Sequence, residues 1–394
     1  MDEDKRIILF TGNCFGENRS GGIIARELKG LLSQAGITSH KVMGASLICP
    51  GDDYVSRGVE LLTSGKVPPS GGFPTRSIRG FFSDIFGGAF GAVSRYKKNL
   101  RKYEGNIELV FVVGDVALLW LTKRALRKTQ LIFFAPAKSD YIEPHYKIEL
   151  RYIKKTADFF FTHDEFTAEN LKKQGVSAEF LGNPMLDDLD PVSPQIKIFE
   201  DTVRIAVLPG SREEAYRNFI KIIKVADVVV SKREAVFYAA LPSALDDNKI
   251  RGMVSRDGFE WKDVAPFPYI VRDKLKVYLC RGIFPDILHT CDLVIGLAGT
   301  ANEQAAGLGK PIVSFTGAGP QTTVARIAEQ ERLLGGALKF VKGGIEDIAD
   351  EVVLLIDNPD ERKRRGRLGI NNMGKPGGAL RMAEFVMKNY IKHK

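Results

Sequence analysis

The chain has no run approaching the ~20 consecutive apolar residues that a membrane-crossing helix requires, which excludes a spanning helix. Cysteine is scarce. Cys14, Cys49, Cys280 and Cys291 form no C-x-x-C pair and no metal-ligand spacing, which argues against structural zinc and for reduced thiols in a cytoplasmic protein. The glycines after the first apolar run do not spell G-x-G-x-x-G, so a dinucleotide fingerprint is lacking. The opening Asp2-Glu3-Asp4-Lys5-Arg6 leads straight into Ile7-Ile8-Leu9-Phe10 and reads as the approach to a strand, not as a signal peptide. Acidic residues are outnumbered, for a net charge of +9, yet no nucleic-acid motif accompanies the excess. An anionic membrane surface or an acidic small molecule is therefore a better partner than DNA or RNA.

What is present is an ordinary globular composition, 44% hydrophobic and 27% charged, over 394 residues. That length predicts two domains. The most informative stretch runs from Cys291 to Phe315. Leu293 to Leu297 suits a strand buried on both faces of a parallel sheet, Ala298 and Gly299 remove side-chain bulk, and Ala301 to Leu308 favours a helix stopped by Gly309. Ile312 to Phe315 begins the next strand. A βαβ unit of this kind aims a helix N-terminus at the crevice where open α/β sheets bind ligands, and such an end suits a diphosphate. Thr300 and Glu303 also fit a capping box, a purely structural role.

The same strand–turn–helix pattern recurs. Ile7 to Thr11 leads into a glycine-rich turn, Gly12 to Gly22, holding Gly16 and Glu17, with a helix from Ile23. Ile107 to Val113 ends at Asp115, which can act as a general base at a strand tip or cap the helix that follows. Arg204 to Leu208 leads to Gly210, Ser211 and Arg212, whose guanidinium suits phosphate oxygens. Thr316 to Thr322, with Gly319 and Gln321, makes another glycine loop. His163 reads as a surface or cap residue, and Asp187, Asp188 and Asp190 as a solvated charge run in a linker, not a metal clamp. Residues 64–93 break the pattern, with phenylalanines and arginines among glycines; such a stretch fits an interfacial contact with an anionic membrane. The expected domains are 1–190 and 200–375, with a closing helix in 376–394 that can pack back on the first. Two Rossmann-like halves would then face each other across a cleft.

Three segments resemble motifs of the lipid-A-disaccharide synthases, in matching order: Gly182-Asn183-Pro184-Met185-Leu186-Asp187, Leu208-Pro209-Gly210-Ser211-Arg212, and Ala298-Gly299-Thr300-Ala301 through Lys310-Pro311-Ile312-Val313. Gly374-Lys375-Pro376-Gly377-Gly378-Ala379 and Gly319-Pro320-Gln321 look more like the synthase-related branch. The resemblance implies an α/β protein of GT-B fold, two Rossmann-like domains with parallel sheets facing across a cleft. It implies an inverting, metal-independent glycosyltransferase without a cofactor, working at the inner face of the cell membrane. That enzyme would move a sugar of N-acetylglucosamine type from a UDP-sugar to a lipid-linked acceptor. Gly299 and Thr300 would meet the diphosphate, Arg212 the phosphates or leaving UDP, and Asp115 falls near the aspartates proposed as base. Two motifs depart from the synthase pattern. Gln304 stands where the synthases carry Glu, with Glu303 one position earlier, so the ribose contact is open between them. The N-terminal G-E-x-S-G-D appears only as Gly16-Glu17-Asn18-Arg19-Ser20-Gly21. Two rivals remain, an enzyme like the UDP-N-acetylglucosamine 2-epimerases and a non-catalytic, membrane-associated nucleotide-sugar-binding protein.

Overall fold

Ile107–Val113 is apolar at almost every position, and it forms the centre of a sheet covered on both faces. The computed structural model describes residues 5–66, 90–192, 196 and 202–391. The chain divides into two units, Met1–Asp188 with Pro376–Lys394, and Leu189–Lys375.

The first unit holds a parallel seven-stranded sheet. Its strands are β1 (Arg6–Gly12), β2 (His40–Ser46), β3 (Glu60–Thr63), β4 (Ile107–Val113), β5 (Gln130–Phe134), β6 (Phe159–Phe161) and β7 (Ala178–Glu179), in the order β3-β2-β1-β4-β5-β6-β7. Helix Phe15–Gln34 and the closing helix Gly378–Tyr390 cover one face, where Ile23, Leu28, Met382 and Val386 are buried with Phe10, Phe111 and Phe161. Phe385 sits edge-on to Phe161, with centroids 5.2 Å apart. Helices Phe90–Lys102, Val116–Ala125 and Lys147–Thr156 cover the opposite face through Tyr96, Leu118 and Ile153.

The second unit holds an eight-stranded sheet. Its strands are β8 (Val203–Leu208), β9 (Ala235–Ala240), β10 (Glu260–Lys262), β11 (Tyr269–Arg272), β12 (Leu275–Cys280), β13 (Leu293–Gly296), β14 (Ile312–Phe315) and β15 (Leu338–Val341), in the order β10-β11-β12-β9-β8-β13-β14-β15. From β12 to β15 the pairing is parallel and gives the 3-2-1-4-5-6 order of a Rossmann sheet. β10 and β11 extend it as an antiparallel edge. In both units the strand order reverses beside the first strand, between β1 and β4 and between β8 and β13. Those two points are where an open α/β sheet parts its carboxyl-terminal loops.

Other sequence expectations are corrected. The turn Gly12 to Gly22 is mostly helix, since Phe15 already opens Phe15–Gln34. Gly21 and Gly22 are packing residues there: a Cβ would lie 2.4 Å from the Tyr54 hydroxyl and 2.8 Å from the Asp53 carbonyl. Cys14 and Cys49 are not reduced thiols but a disulfide, because adjacent parallel strands β1 and β2 bring their tips together despite 35 residues of separation. His163 is not a surface residue; it is buried beside Asp164, which caps the next helix. Asp187 and Asp188 are not a solvated run. Asp187 accepts from the backbone N–H groups of Gly377 and Ala379, satisfying orphan donors of the closing helix, and Asp188 pairs with Arg26 and Arg57. Most of the 64–93 stretch, residues 67–89, lies outside the described residues.

At the opposite edge of the second sheet, Arg204 at the start of β8 grips Asp292 before β13 with Nε and Nη2 at 3.1 Å each, and its backbone N–H adds a third bond at 2.9 Å. Burial pushes the Asp292 carboxyl up, but the hydrogen bonds and charge of Arg204 outweigh it and hold it below the ordinary carboxylate range. Stability from a depressed carboxylate is present above its unfolded pKa, about 4, and is lost as pH falls through the folded value. Asp292→Asn should therefore lower the denaturation midpoint at pH 7 by about 1 kcal/mol equivalent and have little effect near pH 2. An equal loss at both pH values would show that the ion pair is not the source.

Candidate functional site

The second unit assembles its switch point from three loops. After β8, Pro209 to Glu214 turns through Gly210, whose φ of +102° favours glycine. Ser211 is exposed and Arg212 half-exposed on this loop, before helix Ala215–Lys232. After β13, the chain passes Leu297 and Ala298 to exposed Gly299 and Thr300, where helix Thr300–Gly307 begins. After β14, Thr316 to Thr322 folds back, with the Gly317 N–H on the Thr322 carbonyl at 3.1 Å and Gly319 at φ +93°. Gly319 is half-exposed and Gln321 exposed.

Two asparagines hold these loops, and sequence reasoning missed both. Asn218 is 1% exposed. Its Nδ2 donates to the Pro209 carbonyl at 3.2 Å and to the Ala318 carbonyl at 3.4 Å, while its Oδ1 accepts from the Ala318 N–H at 2.6 Å. One side chain thus joins the β8 and β14 loops. Gly317 must be small there, since a Cβ would lie 2.5 Å from Asn218 Oδ1. Asn302 donates to the Gly296 carbonyl at 3.3 Å and to Gln330 Oε1 at 3.0 Å, and Gln330 in turn donates to the Gly299 carbonyl at 2.9 Å.

The capping box expected at Thr300 and Glu303 is not formed. Gly299 is the N-cap, no side chain caps the helix, and Thr300 lies one residue inside. The end that would meet a diphosphate is backbone. Of the ribose candidates, Gln304 is 3% exposed and turned into the unit, whereas Glu303 is half-exposed. The step of about 100° between consecutive helical residues accounts for the difference.

In the first unit, the register Gly12↔Val113 places the β1 and β4 tips side by side. Glu17 stands half-buried in the first turn of Phe15–Gln34, with Gly16 exposed before it. Asp115 is exposed and caps Val116–Ala125 by accepting from the Leu118 N–H at 2.9 Å. Burial first, and then the negative charge of Asp115, raise the Glu17 carboxyl above its usual range. A carboxyl held more basic than usual beside a second one is an arrangement that can pass a proton. Asn18 fixes this turn, donating to Ser46 Oγ at 2.8 Å.

Two further carboxylate–imidazole pairs lie after β5 and β6 on the same edge. His145 Nδ1 meets Asp140 Oδ1 at 3.0 Å, both buried, and Asn170 Nδ2 donates to the other Asp140 oxygen at 3.0 Å. With both oxygens engaged, Asp140 orders its loop. His163 Nδ1 lies 3.7 Å from Asp164 Oδ2, while Asp164 Oδ1 caps the next helix at the Thr167 N–H. Among the described residues no group of three or more His, Cys, Asp or Glu is placed to hold a metal ion.

Replacing Asn218 by Ala strips partners from three backbone groups at the switch point. The cost should be about 1–3 kcal/mol, read as a lower denaturation midpoint, with the β8 and β14 loops losing hydrogen-exchange protection. An unchanged midpoint and unchanged protection would show that the loops hold themselves.

No family model matches the chain. It is 22% identical over 424 residues to the lipid-A-disaccharide synthase of Syntrophus aciditrophicus (strain SB), covering 97% of each chain. Among solved structures, it matches a putative UDP-N-acetylglucosamine 2-epimerase from Listeria monocytogenes at TM-score 0.64, with 15% identity over 98% of this chain and 97% of that one. It matches CalG4, the calicheamicin glycosyltransferase, at TM-score 0.63, with 12% identity over 98% of this chain and 100% of that one. At such identities the solved structures bear on the fold alone. The chain is thus similar to the lipid-A-disaccharide synthases along nearly its whole length, and its two Rossmann-like units have the GT-B fold.

Proposed function

We propose that the protein transfers a sugar of N-acetylglucosamine type from a UDP-sugar to a lipid-linked acceptor at a membrane surface, with inversion and without a metal. The observation that carries the reading is the second unit's switch point. There a glycine loop bearing Arg212 and the uncapped N-terminus at Gly299 and Thr300 follow neighbouring strands, and two buried asparagines and the half-exposed Gln330 hold the loops in place. Diphosphate oxygens are matched by backbone N–H groups, a helix dipole and a guanidinium. These groups would take up the charge of departing UDP, which is why the reading needs no metal. The likeness to a lipid-A-disaccharide synthase over 97% of both chains supports a lipid-linked acceptor.

The acceptor hydroxyl falls to the first unit in this reading. Asp115 is the base, exposed at its strand tip with Oδ1 anchored by Leu118, and Glu17 shares the proton it removes. The new bond forms between the acceptor oxygen and the anomeric carbon as the bond to the diphosphate breaks, and UDP leaves with the electron pair. The epimerase reading would require no acceptor at all, and the full-length relative named above is a synthase.

Calorimetric titration with UDP, UDP-N-acetylglucosamine and an ADP control tests the donor site. UDP should bind in the micromolar range, and Arg212→Ala should weaken it roughly ten- to a hundredfold. No binding of any uridine nucleotide would reject the donor reading, while turnover of UDP-N-acetylglucosamine without acceptor would favour the epimerase.

Asp115→Asn should cut turnover about a hundredfold or more with UDP affinity little changed. Because the Asp115 charge helps to raise Glu17, the residual acid limb should move to lower pH in that variant. A limb that stays in place would uncouple the two carboxylates.

A further inference from the structure

The first unit concentrates positive charge on one side. Helices Phe90–Lys102, Val116–Ala125 and Lys147–Thr156 lie next to one another on the same face of the first sheet. Together with the connecting segment 126–129 they carry thirteen lysines and arginines and one carboxylate, Glu149. That surplus exceeds the net +9 of the whole chain. The fourth helix on this face, Glu165–Lys173, balances two glutamates with two lysines.

Arg95, Lys98, Arg101, Arg124, Arg151 and Lys155 are exposed, and none forms an ion pair among the described residues. Glu149 is already matched by Lys138 at 3.9 Å. Elsewhere the chain pairs exposed charges readily, as at Lys232 with Glu346 and Asp350, or Arg233 with Asp357. Among the cations sits Trp120, 41% exposed, with Lys97 Nζ 5.5 Å and Arg124 Cζ 4.8 Å from its ring centroid. Ile148 on the third helix is 76% exposed.

We propose that this three-helix face is the surface by which the protein lies on a bilayer rich in anionic lipid. Parallel helices make a broad, low surface suited to a plane of headgroups. Unpaired cations on it meet phosphates, and the amphipathic indole of Trp120 sits at headgroup depth. The inference rests on charge and exposure, independently of the transferase reading. It also involves only described residues, none of them within 67–89.

The test is co-sedimentation of the full chain with phosphatidylcholine vesicles, with and without about one third phosphatidylglycerol. Binding should require the anionic lipid and should fall steeply as salt rises. Each cation near such a surface contributes roughly fivefold, so the triple variant Arg95→Ser, Arg124→Ser, Arg151→Ser should lose about a hundredfold in partitioning. A control triple, Lys339→Ser, Lys342→Ser, Lys363→Ser, removes the same charge from the second unit and should bind as the parent does. Trp120→Ser should weaken binding with its salt dependence unchanged. Equal loss in both triples would overturn the proposal by assigning binding to net charge alone. So would equal binding to neutral vesicles, or tighter retention by duplex DNA or RNA than by anionic vesicles. UDP affinity measured on the same triples reports separately on the donor reading.

Discussion

Backbone groups at the tips of parallel strands need hydrogen-bond partners, yet a ligand-binding edge must be stripped of bulk. That conflict governs the architecture. Glycine clears the space, but it contributes no side chain to satisfy or fix the turn it occupies. Here buried carboxamides do that work from the neighbouring helices. At two tips the solution is the same. Gly12 closes β1 and Gly296 closes β13, and the Oδ1 of an asparagine six residues later fills the space a Cβ would take, 2.4 Å away for Asn18 and 2.0 Å for Asn302. Each asparagine then spends its amide hydrogens on a neighbour, Ser46 or Gln330, so a tip is tied to an adjoining element. Asn218 performs the same office between two loops without the glycine spacing.

Charge is handled by a second rule. Carboxylates in the interior are given backbone donors or arginines, as with Asp164, Asp187 and Asp292. Such groups keep helix ends and strand starts in place, and the donors they accept from offset part of the cost of desolvation. Glu17 differs. It is more basic than an ordinary glutamate because burial and a neighbouring carboxylate both oppose its ionisation. Asp115 can tolerate that neighbour because it stays solvent-exposed and anchored to the Leu118 N–H. The two carboxyls thus hold different environments one strand apart, which is the condition for unlike roles in proton transfer.

Much of this was legible in the sequence, and the limits are physical. The central strands β1, β4, β8, β13 and β14 are apolar on successive residues because helices cover both of their faces, so a simple apolar run reveals them. Strands β3, β7, β10, β11 and β15 were not read, since short or edge strands keep polar residues on an open side, nor was β2, an inner strand that opens on His40-Lys41 and carries Gly44. The glycines of the switch points were visible, but the asparagines behind them were not, since asparagine in a helix reads only as a weak helix former. The repeated spacing from Gly12 to Asn18 and from Gly296 to Asn302 is the signal that would have exposed two of them. The Cys14–Cys49 pair left no trace in spacing because only sheet order makes those tips neighbours.

The closing helix shows why the synthase-related Gly374–Gly378 segment has its composition. Met382, Ala383 and Val386 are fully buried against the first sheet, so the chain must return to the unit it left at Asp188. The return is abrupt. Gly374 ends helix Pro359–Met373 at φ +78°, and Gly377 turns at φ +90° before Gly378–Tyr390 begins. Gly378 then lies so close to the Gly182 turn that a Cβ would meet backbone at 2.7 Å. A side chain there would push the helix off Asp187, whose carboxylate holds the Gly377 and Ala379 N–H groups. Glycine at 378 and aspartate at 187 are therefore one requirement written at two places. Gly182-Asn183-Pro184-Met185-Leu186-Asp187 and the Gly374–Gly378 segment resemble family motifs at opposite ends of the second unit because Gly182 and Asp187 form one joint with Gly377 and Gly378 within the first.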